Sequence, residues 1–270
     1  MFVTRLISGV ILLAVMIGAV CLSGPVLFFF LLAISLIGMF ELYRAAGVRK
    51  DRENLLTIVS YVCAVAFYAL LWFSLKDYYL PGLMAAMIAI LFVYVFTFPK
   101  YHADKIMTAF FGIVYVAVSL SFVYQTRTLS DGKFTVWLIF ICSWGCDTMA
   151  YVTGMLLGRH KMAPVLSPKK TWEGAAGGVL GAALIGAIYA AVVGKYMLTD
   201  RNPILVYALI SAVGAMVSMV GDLAASAIKR NHDIKDYGKL IPGHGGILDR
   251  FDSVIITAPI IYMLAHLWAG

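Results

Sequence analysis

The sequence predicts an all-α fold, a polytopic integral membrane bundle of about nine transmembrane helices, on three observations. Hydrophobic residues make up 62% of the 270, against roughly 45–50% in an ordinary soluble domain. Charged residues make up 13%, about half of the usual ~25%. Apolar runs recur along the whole chain, and ~20 residues suffice to cross hydrocarbon. A soluble fold could not hide that much apolar surface, which excludes a soluble enzyme, a nucleic-acid-binding domain and a disordered chain. The net charge of +7 is therefore read as orienting loops and meeting phosphate groups rather than as a nucleic-acid footprint.

Apolar runs set against breakers place spans at 6–23, 25–43, 56–75, 82–98, 106–124, 135–157, 175–194, 204–228 and 252–269. The first, Leu6 to Leu22 behind Arg5, is long for a signal-peptide core and lacks a clear A-x-A site, so it reads as a retained helix. Hydrocarbon forces each span to satisfy its own backbone, which demands helices or a closed barrel. The runs lack the strict alternation of a barrel. With no internal repeat or soluble segment, residues 1–270 read as one membrane domain, with N-terminal helices in 1–134 and catalytic helices and cytoplasmic loops in 135–270. Cys21, Cys63, Cys142 and Cys146 lie inside apolar runs without a C-x-x-C pair, and Cys142 and Cys146 read as small buried hydrophobes.

Lys and Arg set the orientation. The N-terminus and the second, fourth, sixth and eighth loops carry sixteen of the 21, and Lys76, Arg127, Lys133, Lys195 and Arg201 lie on the other side. The positive-inside rule places the richer side in the cytoplasm. The expected location is the cytoplasmic or inner membrane, with the active site facing the cytoplasm.

Acids inside membrane helices are costly and are functional candidates by default. Asp147 lies within the sixth span and Asp222 within the eighth. Helical spacing aligns Ser143, Asp147, Tyr151 and Gly154 on one face, and Ser218, Asp222, Ser226 and Lys229 on another. The eighth loop, read from Ser226 to Asp252, mixes five cations, four acids and two histidines, with Asp249 and Asp252 where it re-enters the membrane. Gly243, Gly245 and Gly246 permit the close backbone approach that a phosphate-binding turn needs. Carboxylates at 222 and 249 would bring two hard oxygen ligands to one cation, as Mg²⁺ with phosphate substrates prefers. His244, flanked by glycines, is read as a phosphate or active-site hydrogen-bonding group. In the sixth loop, Lys169 and Lys170 suit a polyphosphate, and Thr171 and Glu173 are expected to cap the following helix. No P-loop, Rossmann or H-E-x-x-H motif occurs.

The stretch from Ser226 to Asp252 resembles the long signature of the phosphatidate cytidylyltransferase (CDP-diacylglycerol synthase) family. Ser226, Lys229, Arg230, Lys235, Asp236, Gly238, Pro242, His244, Gly245, Gly246, Asp249, Arg250 and Asp252 occupy its fixed places without a gap. Ser167-Pro-Lys-Lys-Thr-Trp-Glu-Gly174 resembles a second family segment. The resemblance implies CTP and phosphatidate as substrates, CDP-diacylglycerol and pyrophosphate as products, and dependence on one or two Mg²⁺ ions. It points to Asp222, Asp249, Lys229, Arg230 and His244 as catalytic. Ser226, Lys235, Asp236, Gly245, Gly246, Arg250, Lys169 and Lys170 are expected to bind substrate. Asp222 and Asp249 are the expected metal ligands, with Asp147, Asp252 and Asp236 in support.

Two other readings stay open in the sequence. One is an ion-coupled organic-anion transporter using Asp147 and Asp222. The other is a different lipid-phosphate enzyme, such as a polyprenol kinase or an ether-lipid cytidylyltransferase. Small-residue runs such as Gly174-Ala-Ala-Gly-Gly178 allow close helix contact, which leaves a homodimer open.

Overall fold

The computed structural model describes residues 2–48, 54–198, 201–243 and 245–269. Its helices are α1 (Phe2–Leu22), α2 (Gly24–Ala45), α3 (Leu55–Trp72), α4 (Tyr79–Phe96), α5 (Ala103–Gly112) and α6 (Ser119–Arg127). They continue with α7 (Gly132–Phe140), α8 (Cys146–Leu157), α9 (Trp172–Val193), α10 (Pro203–Asn231) and α11 (Leu248–Ala269). Wide π-type turns, Ile113–Val118 and Ile141–Gly145, join α5 to α6 and α7 to α8 into single spans. Eight described stretches are long and apolar enough to cross a membrane, and Ile7–Leu22 adds a shorter apolar helix. The chain is thus an all-α multi-pass membrane protein. On α9, Leu180, Leu184, Ile188 and Val192 lie exposed at four-residue spacing, the apolar outer stripe that lipid covers.

Contacts divide the chain into two compact units, one of Met1–Ser121 with His232–Arg250 and one of Phe122–Asn231 with Phe251–Gly270. In the first unit, α2 is the central helix, with Leu27, Leu31, Met39, Leu42 and Tyr43 almost fully buried. It ends where Gly47 takes φ +64, so that Val48 N bonds Tyr43 O and Gly47 N bonds Arg44 O. Those two bonds satisfy carbonyls that a helix end otherwise leaves orphaned. Lys105 Nζ adds a bond to Ala46 O at 2.9 Å. Asn54 then caps α3 by accepting from Leu56 N at 3.1 Å. Polar side chains inside the unit are paired across helices, Ser35 with Tyr68 at 2.8 Å and Tyr43 with Ala109 O at 2.6 Å.

In the second unit, α9 packs between α8 and α10 through glycine. Gly177 receives the Thr153 side chain, Gly181 receives Met149 and Gly186 receives Ser211. Cys146, Ala182 and Ala215 form the fully buried centre of this packing, as the sequence reading of Cys146 anticipated. The sixth loop holds a two-stranded antiparallel hairpin, β1 (Lys161–Ala163) with β2 (Ser167–Thr171), which hydropathy does not reveal. Thr171 caps α9 by accepting from Gly174 N at 3.1 Å, as expected. The Glu173 carboxylate accepts from its own N–H in the first turn and also from Arg159 N and His160 N, and it pairs with the His160 ring. Glu173 thereby ties the hairpin to the head of the helix.

Candidate active site

The second unit gathers acids from three helices. Asp147 stands in the first turn of α8, Asp222 within α10, and Asp252 in the first turns of α11. The π-type turn at Ile141–Gly145 breaks the even spacing upstream. Ser143 is fully buried and donates to Ile139 O, so it leaves the face that Asp147, Tyr151 and Gly154 share along a cleft. Asp252 is 8% exposed, and the charges of Asp222, Lys229 and Asp147 all act on it. The Ser253 hydroxyl lies 3.2 Å from Asp252 Oδ1 and 3.5 Å from Asp147 Oδ2, so it links carboxylates from α8 and α11. Lys170 forms an ion pair with Asp222, and each side chain is only about a quarter exposed.

Asp147, Lys170 and Asp222 open onto a cleft of about 430 Å³. Its lining joins Asp147, Asp222, Lys169 and Lys170 with Met155, Met162 and Met219. The lysines suit a phosphate headgroup, and methionine sulfur and methylenes adapt to flexible apolar chains. Among the described residues, no three His, Cys, Asp or Glu side chains form a ready metal cage. Mg²⁺ does not need one, because it is commonly held by one or two carboxylates together with substrate phosphates. Asp147, Asp222 and Asp252 are hard oxygen donors of the kind such an ion takes.

The first unit builds a different structure from the signature loop. Gly243 and Gly245 adopt φ +78 and +86, a region open to glycine without a steric penalty, and Ile241 N closes the turn on Gly245 O at 2.8 Å. Asp249 Oδ2 accepts from Tyr237 N at 2.8 Å, Gly246 N at 2.9 Å and Gly238 N at 3.4 Å. A carboxylate that gathers several backbone N–H groups holds a loop firmly, since hydrogen bonds to a charged acceptor are the stronger kind. Here Asp249, expected from sequence as a metal ligand, visibly organises the loop. The loop borders a cavity of about 620 Å³ lined by Lys235, Asp236, Lys239, Arg250 and the turn glycines.

The structure therefore brings Lys169, Lys170, Asp147, Asp222 and Asp252 together in one unit, and Lys235, Asp236, Gly245 and Arg250 in the other. Gly246 is buried in the loop. Ser226 and Arg230 lie on α10 and line neither cavity. His244 lies outside the described residues. Two participants escape the sequence reading. Ser253 directly follows the signature, so adjacency to Asp252 is the only hint of it. Glu41 is 3% exposed on α2 and accepts from Ile247 N at 3.2 Å and Leu248 N at 2.8 Å. An acid inside the second apolar run was the available signal.

Comparison with known proteins adds an independent result. The cytidylyltransferase family matches residues 3–268. A phosphatidate cytidylyltransferase of Staphylococcus epidermidis is 30% identical over 267 residues, covering 96% of this chain and 97% of the relative. Those of Rickettsia felis and Rickettsia typhi are 32% and 33% identical, covering 81% and 79% of this chain and 95% and 92% of the relatives.

Proposed function

The chain belongs to the cytidylyltransferase family, and from that premise we propose that it transfers CMP from CTP to phosphatidate. A phosphatidate oxygen attacks the α-phosphorus of CTP, the bond to the β-phosphate oxygen breaks, and pyrophosphate leaves. CDP-diacylglycerol is the lipid product. The observation that carries this reading is the cleft of the second unit, where paired lysines and carboxylates meet an apolar wall. A lipid phosphomonoester has that same division of chemistry.

The two substrates are polyanions that repel, so the protein must neutralise and align them. Lys169 and Lys170 supply cations to the lining of the cleft. Lys170 and Asp222 stand as adjacent opposite charges, so phosphate can pair with the first while a divalent ion pairs with the second. Asp222, Asp147 and Asp252 are the proposed Mg²⁺ ligands, and a metal role is proposed for Asp249 as well. Mg²⁺ would screen charge on the reacting phosphates and orient them. Lys229, Arg230, Lys235 and Arg250 are proposed to bind phosphate oxygens, with His244 hydrogen bonding there. A strong general base is unnecessary, because phosphomonoesters have a second pKa of about 6. The lysine and arginine distribution supports a site facing the cytoplasm of the inner membrane.

Purified protein incubated with labelled CTP, Mg²⁺ and phosphatidate should release pyrophosphate and lipid-linked CMP in equal amounts. Asp222→Asn should lower that rate about 100-fold or more, since losing a group that merely orients a metal ligand already costs roughly 10–100-fold. Near-normal turnover of a folded Asp222→Asn protein refutes the assignment. Transport of an anion into sealed vesicles without product formation refutes the activity.

A further inference from the structure

We infer that Glu41, aided by Arg44 one turn along α2, is a positioning residue that sets the conformation of the signature loop for CMP transfer. The inference rests on the activity proposed above. A buried carboxylate inside an apolar helix is costly unless polar partners surround it. Glu41 finds them in the chain more than 200 residues away, with Oε1 accepting from Ile247 N and Oε2 from Leu248 N. Those amides stand at the head of α11, where N–H groups have no partner within the helix and the macrodipole favours negative charge. Using both oxygens on consecutive amides fixes the rotation of the carboxylate as well as its place.

The same carboxylate sits at the crossing of the loop. Gly238 and Gly246 both pack directly on it, and a Cβ at either position would overlap its oxygens. Arg44 donates to Tyr237 O at 2.6 Å, while Tyr237 N and Gly246 N donate to Asp249. Two carboxylates therefore share the backbone amides of 237, 238, 246, 247 and 248. Lys235 and Asp236 directly precede these anchored positions and Arg250 directly follows them, and all three line the loop cavity. Glu41 lines no part of that cavity, so it acts through the loop rather than on substrate.

Glu41→Gln tests this, because it keeps the shape but turns an N–H₂ toward one of the two backbone donors. In purified protein, kcat should fall at least tenfold while KM for CTP changes less than threefold and the melting temperature stays within a few degrees of the parent. Hydrogen exchange should quicken in 236–248 and remain unchanged in α3 and α4. Unchanged kcat, or a loss accounted for by unfolded protein alone, overturns the inference. If Glu41→Gln does not fold, Arg44→Met is measured in the same way. A several-fold loss of kcat at near-normal KM supports the positioning role, and parental kcat overturns it. A parent protein that makes no lipid-linked CMP would sink the activity itself, whereas an active parent matched by its variants would sink only this inference.

Discussion

Asp249 offers a substitution in which loop holding and negative charge can be separated. Its Oδ2 accepts from three buried amides, two at 2.8–2.9 Å and one at 3.4 Å. Asn at this position can keep a carbonyl oxygen in place of Oδ2, so the three bonds persist without the charge. A hydrogen bond to a charged group contributes about 1.5–3 kcal/mol and a neutral one about 0.5–1.5. Each good bond therefore weakens by about 1 kcal/mol, and the long one by less, giving about 2 kcal/mol in all. That corresponds to roughly a 30-fold rise in local opening, at about 1.4 kcal/mol per factor of ten. Asp249→Ala instead strands the amides, at about 1–3 kcal/mol for each, and should open the loop far more.

Hydrogen exchange over 236–248 reads the opening, and CMP transfer across a Mg²⁺ titration reads the chemistry. Asp249→Asn should exchange roughly 30-fold faster, well short of the alanine variant, and lose about 100-fold or more in turnover, with the Mg²⁺ requirement shifted upward. Asp249→Ala should lose both. Asp249→Asn with parental turnover would refute a metal role for this carboxylate. Asp249→Ala with parental exchange at 237, 238 and 246 would refute the hydrogen-bonding geometry.

Lys170→Met retains the apolar stem and removes the cation beside Asp222. A charge-assisted contact contributes about 1.5–3 kcal/mol, and discounting for partial exposure leaves a fall of about tenfold in kcat/KM for phosphatidate or CTP. Steady-state kinetics with unchanged values would mark the pair as structural only. Gly174→Ala places a Cβ 2.9 Å from Ala150 O and 3.2 Å from Gly154 Cα, backbone atoms that cannot swing aside. The overpacking should cost about 1–3 kcal/mol, read as a lower melting temperature in detergent; an unchanged transition would show that α8 and α9 separate freely.

Local chemistry explains what was legible beforehand. The spans follow from apolar run length, since hydrocarbon demands an unbroken helix wherever the chain crosses it. Asp147 and Asp222 stood out because an acid is conspicuous within such a run, and Thr171 because a cap is a matter of a few consecutive residues. The helical face assigned to Ser143 failed for an equally physical reason. A π-type turn at Ile141–Gly145 inserts an irregularity that residue types do not announce, and the periodic reading lost its phase there. Glu173 serves the loop before the hairpin as well as its own helix, a contact that residue order does not announce.

Amino-acid order alone determined the membrane architecture, the basic asymmetry and the family signature, because each is written in residues close together in the chain. Tertiary structure decided which acids keep company. Ser253 lies between Asp147 and Asp252, Lys170 pairs with Asp222, and Glu41 secures a loop more than 200 residues distant. Such pairings depend on how helices pack, and packing is chosen by the shapes of many side chains at once rather than by any one segment.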